Sequence, residues 1–144
     1  MINDDTIELL RECNAGIKMG VSSIEDVLDN VQNEEFKKIL SDSKEKHQKL
    51  GNMTHELLNE YEDSGKEPNF MAKGMSKIKT NIMIAVDESD ETIADLMTDG
   101  GNMGVKSLSR YLNKYEAAEE KTKDIAKKLI KIEEELVQDI RKFL

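Results

Sequence analysis

Phe36, Leu40, Ser43, His47, Leu50, Thr54, Leu57 and Tyr61 follow one another at steps of four and three without a miss. That spacing puts all eight on one side of an α-helix, whereas a strand would throw neighbouring members to opposite faces. Similar stripes recur in Leu10, Cys13, Ile17, Val21, Ile24, Leu28, Val31; in Ile93, Met97, Gly100, Gly104, Leu108, Tyr111, Tyr115; and in Ile125, Leu129, Ile132, Leu136, Ile140, Phe143. Four long stripes must be buried against one another, so the sequence predicts an all-α bundle of four helices. The 144 residues suit a single domain spanning 1–144, and 38% apolar with 35% charged residues, one proline and no tryptophan fit a helical bundle.

Polar caps and breakers set the predicted boundaries. The first helix starts at Asn3 to Asp5, where Asp5 and Glu8 have the outline of a capping box. The chain turns at "QNEEF", with Asn33 capping the second helix, so the first two helices form a hairpin with a very short loop. "EDSGKEPN" holds the only proline and closes the second helix; Asn69 then caps a short helix from Phe70 to Val86. The third helix runs from Asp90 to Ala117 and the fourth from Glu119 to the end. Gly100 and Gly101 cost roughly 1 kcal/mol each against alanine inside a helix. They predict either a kink or a close approach by another backbone.

Two features bear on topology. "KMGVSSIEDVLDN" at 18–30 and "NMGVKSLSRYLNK" at 102–114 share Met, Gly, Val, Ser and Leu in register, which pairs the first helix with the third and Gly20 with Gly104. The connection of about 63–89 is long enough to run the length of the bundle, since a helix of some 27 residues measures roughly 40 Å. A simple up-and-down bundle needs no such length, so the second and third helices are expected to lie parallel, joined by a crossover.

The formal charge of −9 argues against nucleic acid as a partner, because a basic face must track phosphates. Cys13 is the only cysteine, which rules out an intrachain disulfide and suits a reducing, cytoplasmic location. "MINDDTIELL" lacks the order of a signal peptide, and no apolar run reaches membrane-spanning length. The crossover departs from the acidic background. It carries Lys66, Lys73, Lys77 and Lys79 beside an apolar side of Phe70, Met71, Met75, Ile78 and Ile82. A basic amphipathic helix of this kind either packs as a lid on the bundle or docks on an anionic membrane or acidic partner.

A hairpin, a long crossover and a second hairpin resemble the ferritin-like superfamily over nearly the whole chain. More narrowly, "ELLRECNAGIKMG", the "GKEPN" crossover start and "DLMTDGGNMGVKSLSRYL" are similar to a bacterial family of ferritin-like domains of unknown function. The resemblance implies a four-helix bundle with a helix in its crossover. For the di-iron members it also implies a Glu from each of two helices and a Glu-x-x-His from each of the other two, pointing inward. Carried onto this chain, the second helix offers Lys44 and His47, and the fourth offers Glu133 and Leu136. The remaining acids would fall near Ile17 or Lys18 and near Gly101 or Asn102. Only His47 and Glu133 keep a ligand type.

His47 is therefore expected to be a core histidine, hydrogen-bonded to Ser43, Asn14 or a tyrosine hydroxyl and neutral when buried. His55 falls off the stripe and should be exposed. Cys13 reads as a small buried hydrophobe and the methionines as gap-fillers. The chain is expected to be a non-enzymatic binding or structural module without catalytic residues or cofactor, associating as a homodimer or with an unidentified protein. Two other readings stay open: a residual iron or zinc site built from His47 with Glu133, Asp99 or Glu45, and docking through the basic crossover helix.

Overall fold

The computed structural model describes residues 3–61 and 89–144. Among these, four α-helices form: α1 (Asp4–Leu28), α2 (Glu34–Glu60), α3 (Asp90–Lys114) and α4 (Glu120–Ile140), followed by a 3₁₀ turn at Arg141–Phe143. No strand occurs among the described residues. None of the helices is long and apolar enough to cross a membrane. The expected helix at 70–86, with Lys66, Lys73, Lys77, Lys79, Phe70, Met71, Met75, Ile78 and Ile82, lies outside the described residues.

Each of the first three helices starts on a short polar side chain that accepts a free backbone N–H of the first turn. Asn3 accepts from Thr6, Asn33 from Phe36 and Ser89 from Thr92. The cap of α1 is thus Asn3, the first of the residues expected to start the helix, rather than Asp5 of the capping-box outline. The third helix ends at Lys114, three residues earlier than its sequence pattern suggests, with Tyr115 as its C-cap.

Hydrogen bonds between loops and helix starts fix the topology. The Asp90 carboxylate, at the start of α3, accepts the backbone N–H groups of Gln32 (2.8 Å) and Asn33 (2.9 Å), in the turn between α1 and α2. At the other end, the α3–α4 turn is tied to the start of α1. Ala117 N–H donates to Asp5, Glu119 N–H donates to the Thr6 hydroxyl, and Asn3 donates to the Ala117 carbonyl. Both α2 and α3 therefore start at one end of the bundle and run the same way. Tyr61 packs with Leu9 and Ala118 at the opposite end from Ser89, so the chain between them joins opposite ends.

α1 packs on α2 and α3, α4 packs on the same two helices, and α1 also meets α4 across the bundle. The apolar core is divided into two clusters. One holds Leu9, Leu10, Cys13, Ile17, Leu50, Leu57 and Leu129 near the α1 start. The other holds Ile24, Val27, Phe36, Leu40, Ile93, Met97, Leu136 and Ile140 near the α1–α2 turn. Between these clusters, at mid-bundle, the inward positions are not hydrocarbon.

The α2 stripe is buried from Phe36 to Leu57 as its spacing predicts. On the other helices the buried line is shifted by one residue at several positions. α1 buries Val27 rather than Leu28, and Val21 is only half-buried. α3 buries Gly101 and exposes Gly100, and α4 buries Glu133 with Ile132 at the edge. α3 passes through both glycines as continuous helix. A Cβ at Gly101 would stand 2.5 Å from Val137 Cγ2, so a close approach by a side chain of α4, rather than a kink, accounts for the glycine there.

Candidate functional site

The polar mid-bundle layer consists of His47 from α2 and Glu133 from α4, covered by glycines from the other two helices. Each of the two side chains stands fourteen residues beyond its helix N-cap, Asn33 or Glu119. The buried line of α2 from Phe36 through Leu40, Ser43, His47 and Leu50 to Thr54 lies in register with Thr122, Ala126, Leu129, Glu133, Leu136 and Ile140 of α4. The imidazole and the carboxylate thus occupy equivalent positions in two similar hairpins, which is why they meet.

His47 is fully buried and Glu133 is 9% exposed. His47 Nε2 lies 2.5 Å from Glu133 Oε1, and Nδ1 lies 2.7 Å from the backbone carbonyl oxygen of Ser43 one turn earlier. The Ser43 carbonyl can only accept, so Nδ1 donates to it; with Glu133 ionised, Nε2 donates as well and the ring is an imidazolium. Burial by itself would lower the pKa of His47. The hydrogen bond to Glu133, its negative charge and the Ser43 carbonyl together outweigh that and raise the pKa above its ordinary value. His47 lies in the core with Ser43 as one partner, and the raised direction runs against a ring held neutral by burial. The second partner is Glu133 rather than Asn14 or a tyrosine.

Gly20 makes room for the ring, while a Cβ at Gly101 or Gly104 would lie at ordinary contact distance from Glu133. A Cβ at Gly20 of α1 would stand 2.8 Å from both Cδ2 and Nε2 of His47, closer than atoms can pack. A Cβ at Gly104 of α3 would stand 3.6 Å from Cγ, Cδ and Oε2 of Glu133, and one at Gly101 would lie 3.6 Å from Oε2. Gly20 and Gly104, linked by the internal sequence echo, thus cover the imidazole and the carboxylate respectively.

The other residues singled out from sequence lie elsewhere. Lys44, at the place of a Glu-x-x-His carboxylate, turns outward and pairs with Glu25 at 3.3 Å. Asp99 and Glu45 are exposed, and Glu45 pairs with Lys49. Leu136 belongs to the apolar cluster next to the layer. No group of three or more His, Cys, Asp or Glu side chains that could hold a metal ion occurs among the described residues. His55 is exposed. Cys13 is buried, and burial with the nearby negative charge of Glu12 pushes its thiol up to about 12, so it is neither a thiolate ligand nor a nucleophile at neutral pH.

A di-iron centre needs six inward ligands, or at minimum several carboxylates converging on one point. Here two candidate ligands are bonded to each other and the facing positions on α1 and α3 are glycine. The residues present do not fit such a centre. With Glu133 ionised, the arrangement is a buried ion pair whose two ring protons are both engaged, and the imidazole has no free lone pair to act as a base. No protein family, no curated protein and no solved structure matches the chain.

Proposed function

We propose that this chain is a ferritin-like bundle in which an internal salt bridge stands in place of a metal centre, and that it works as a non-enzymatic binding or structural module. Connectivity supports the first half. Two antiparallel hairpins whose second and third helices run parallel, with a long connection between opposite ends, are the arrangement of that superfamily. The single observation that carries the second half is the 2.5 Å contact between His47 and Glu133 beneath Gly20 and Gly104. The layer where a di-iron member would place its ligands is here filled by one pair and sealed by two helix backbones.

Elemental analysis tests this reading. The protein is incubated with ferrous iron, zinc and manganese in turn, desalted and analysed. Less than a tenth of an equivalent per chain is the expected result. One equivalent retained by the unmodified protein and lost in His47→Leu would overturn it and make the chain a mononuclear metalloprotein.

A further inference from the structure

We infer that the proton shared by His47 and Glu133 acts as a pH-sensitive latch between the two hairpins, so that its loss as pH rises frees α2 from α4 at mid-bundle. The inference rests on the reading of the centre as metal-free.

The argument is geometric. The ring is pinned between two acceptors, the Ser43 carbonyl oxygen and Glu133 Oε1. Two protons satisfy the two contacts. With one proton left, either tautomer sets a nitrogen lone pair against an oxygen lone pair, at 2.7 Å on the Ser43 side or at 2.5 Å on the Glu133 side. The Ser43 hydroxyl, 3.5 Å from Nδ1, could donate to a deprotonated Nδ1 only if the ring first drew back from the carbonyl. Gly20 bounds the ring on the α1 side, where even a Cβ would stand 2.8 Å from Cδ2 and Nε2. The repulsion is relieved when the ring or the Glu133 side chain draws back, and either movement breaks the contact that joins α2 to α4.

Lys46 of α2 and Glu135 of α4 also span this seam, at the surface, while the pair spans it in the core. From α4 the ring meets the Glu133 carboxylate, and this is the charge that acts on it. α1 presents Gly20 to the layer, and α3 presents Gly101 and Gly104. On α2 itself, Lys44 and Lys46 are engaged outside the core with Glu25 and Glu135. The latch sits between the two apolar clusters, where no hydrocarbon contact substitutes for it. His47 belongs to the first hairpin and Glu133 to the second, so releasing the pair acts on the seam between them.

The test follows the ring and the helices together. His55→Gln leaves His47 as the only imidazole; this protein, labelled with ¹⁵N, is treated with a chelator, shown free of metal by elemental analysis and titrated by NMR from pH 5.5 to 9.5. Amide hydrogen exchange, corrected for the intrinsic effect of pH, is read in parallel. The expected result is a ring that keeps both protons to higher pH than a free imidazole and then loses one. Protection at residues 43–50 and 129–137 should fall at least tenfold over the same pH range, while the two ends of the bundle hold. Glu133→Gln keeps an acceptor opposite Nε2 without the charge, and should move both transitions to lower pH. A neutral ring at pH 6 in metal-free protein would overturn the inference, and so would a ring that titrates without loss of protection. Metal retained through chelation would instead overturn the reading of the centre, and the latch with it.

Discussion

Gly20 on α1 lies so close to the His47 ring on α2 that a methyl group at position 20 would stand 2.8 Å from two ring atoms. The ring cannot yield, since both its nitrogens are held. Gly20→Ala is expected to set an overpacking cost of about 1–3 kcal/mol against a gain of about 1 kcal/mol from helix propensity, a net loss of up to about 2 kcal/mol. Urea unfolding at pH 6 measures it. A gain in stability would show that the ring has room after all.

The paired glycines of α3 should respond in opposite directions. Nothing lies within 4 Å of a Cβ at Gly100, whereas one at Gly101 would meet Val137 Cγ2 at 2.5 Å. Gly100→Ala is expected to stabilise by about 0.5–1 kcal/mol, through the smaller entropy loss of alanine in a helix. Gly101→Ala is expected to destabilise. Thermal unfolding of the two variants, compared side by side, checks the sign of each.

Breaking the buried pair from one side leaves a charge without a partner. Glu133→Met alone is expected to cost about 3–5 kcal/mol, while the double variant His47→Leu with Glu133→Met should recover most of that loss, because a buried pair returns little net energy over hydrocarbon of similar size. A double-mutant cycle in denaturant gives the coupling. Additive losses would mean that the two side chains do not depend on each other.

The sign of the pH dependence follows from the raised pKa of His47. A group that binds its proton more tightly when folded contributes stability that is fully present below its unfolded value, near about 6.5, and is lost as pH rises through the folded value. Unfolding free energy attributable to His47, taken as the difference between the unmodified protein and the double variant, should therefore decline on the alkaline side. A difference that grows with pH would point to a neutral ring.

Asp90 ties the start of α3 to the α1–α2 turn through two backbone N–H groups. Asp90→Ala is expected to cost about 1–2 kcal/mol, since the freed donors can reach water and only part of the strength of two charge-assisted bonds is lost. Asp90→Asn, which keeps one acceptor oxygen, should cost less. Equilibrium unfolding in urea ranks the three proteins.

Cys13 should be silent in the folded state. Its thiol is buried and its pKa is pushed up to about 12, so a disulfide reagent at pH 8 is expected to label it only in denaturant. Rapid labelling of the native protein would indicate that the cluster around Leu9, Leu10 and Ile17 opens.

The sequence by itself determined the four helices, their polar caps and the correspondence of α1 with α3, because apolar spacing and backbone capping are local properties of the chain. It also put His47 on the buried line of α2. It did not separate Glu133 from Ile132, Gly101 from Gly100, or Val27 from Leu28, since neighbouring residues differ by only about 100° around a helix and the buried stripe is at least that wide. Which of each pair turns inward depends on how the helix is rotated by the helices packed on it, and that is a tertiary property. Aligning the α2 and α4 stripes from their caps would have matched His47 with Glu133, but the two lines share few residue types, so no sequence echo marked the match. The charge on His47 was likewise undecided until Glu133 stood beside it: burial alone favours the neutral ring, and only a carboxylate brought in from another helix, with the glycines that let it approach, holds the second proton in place.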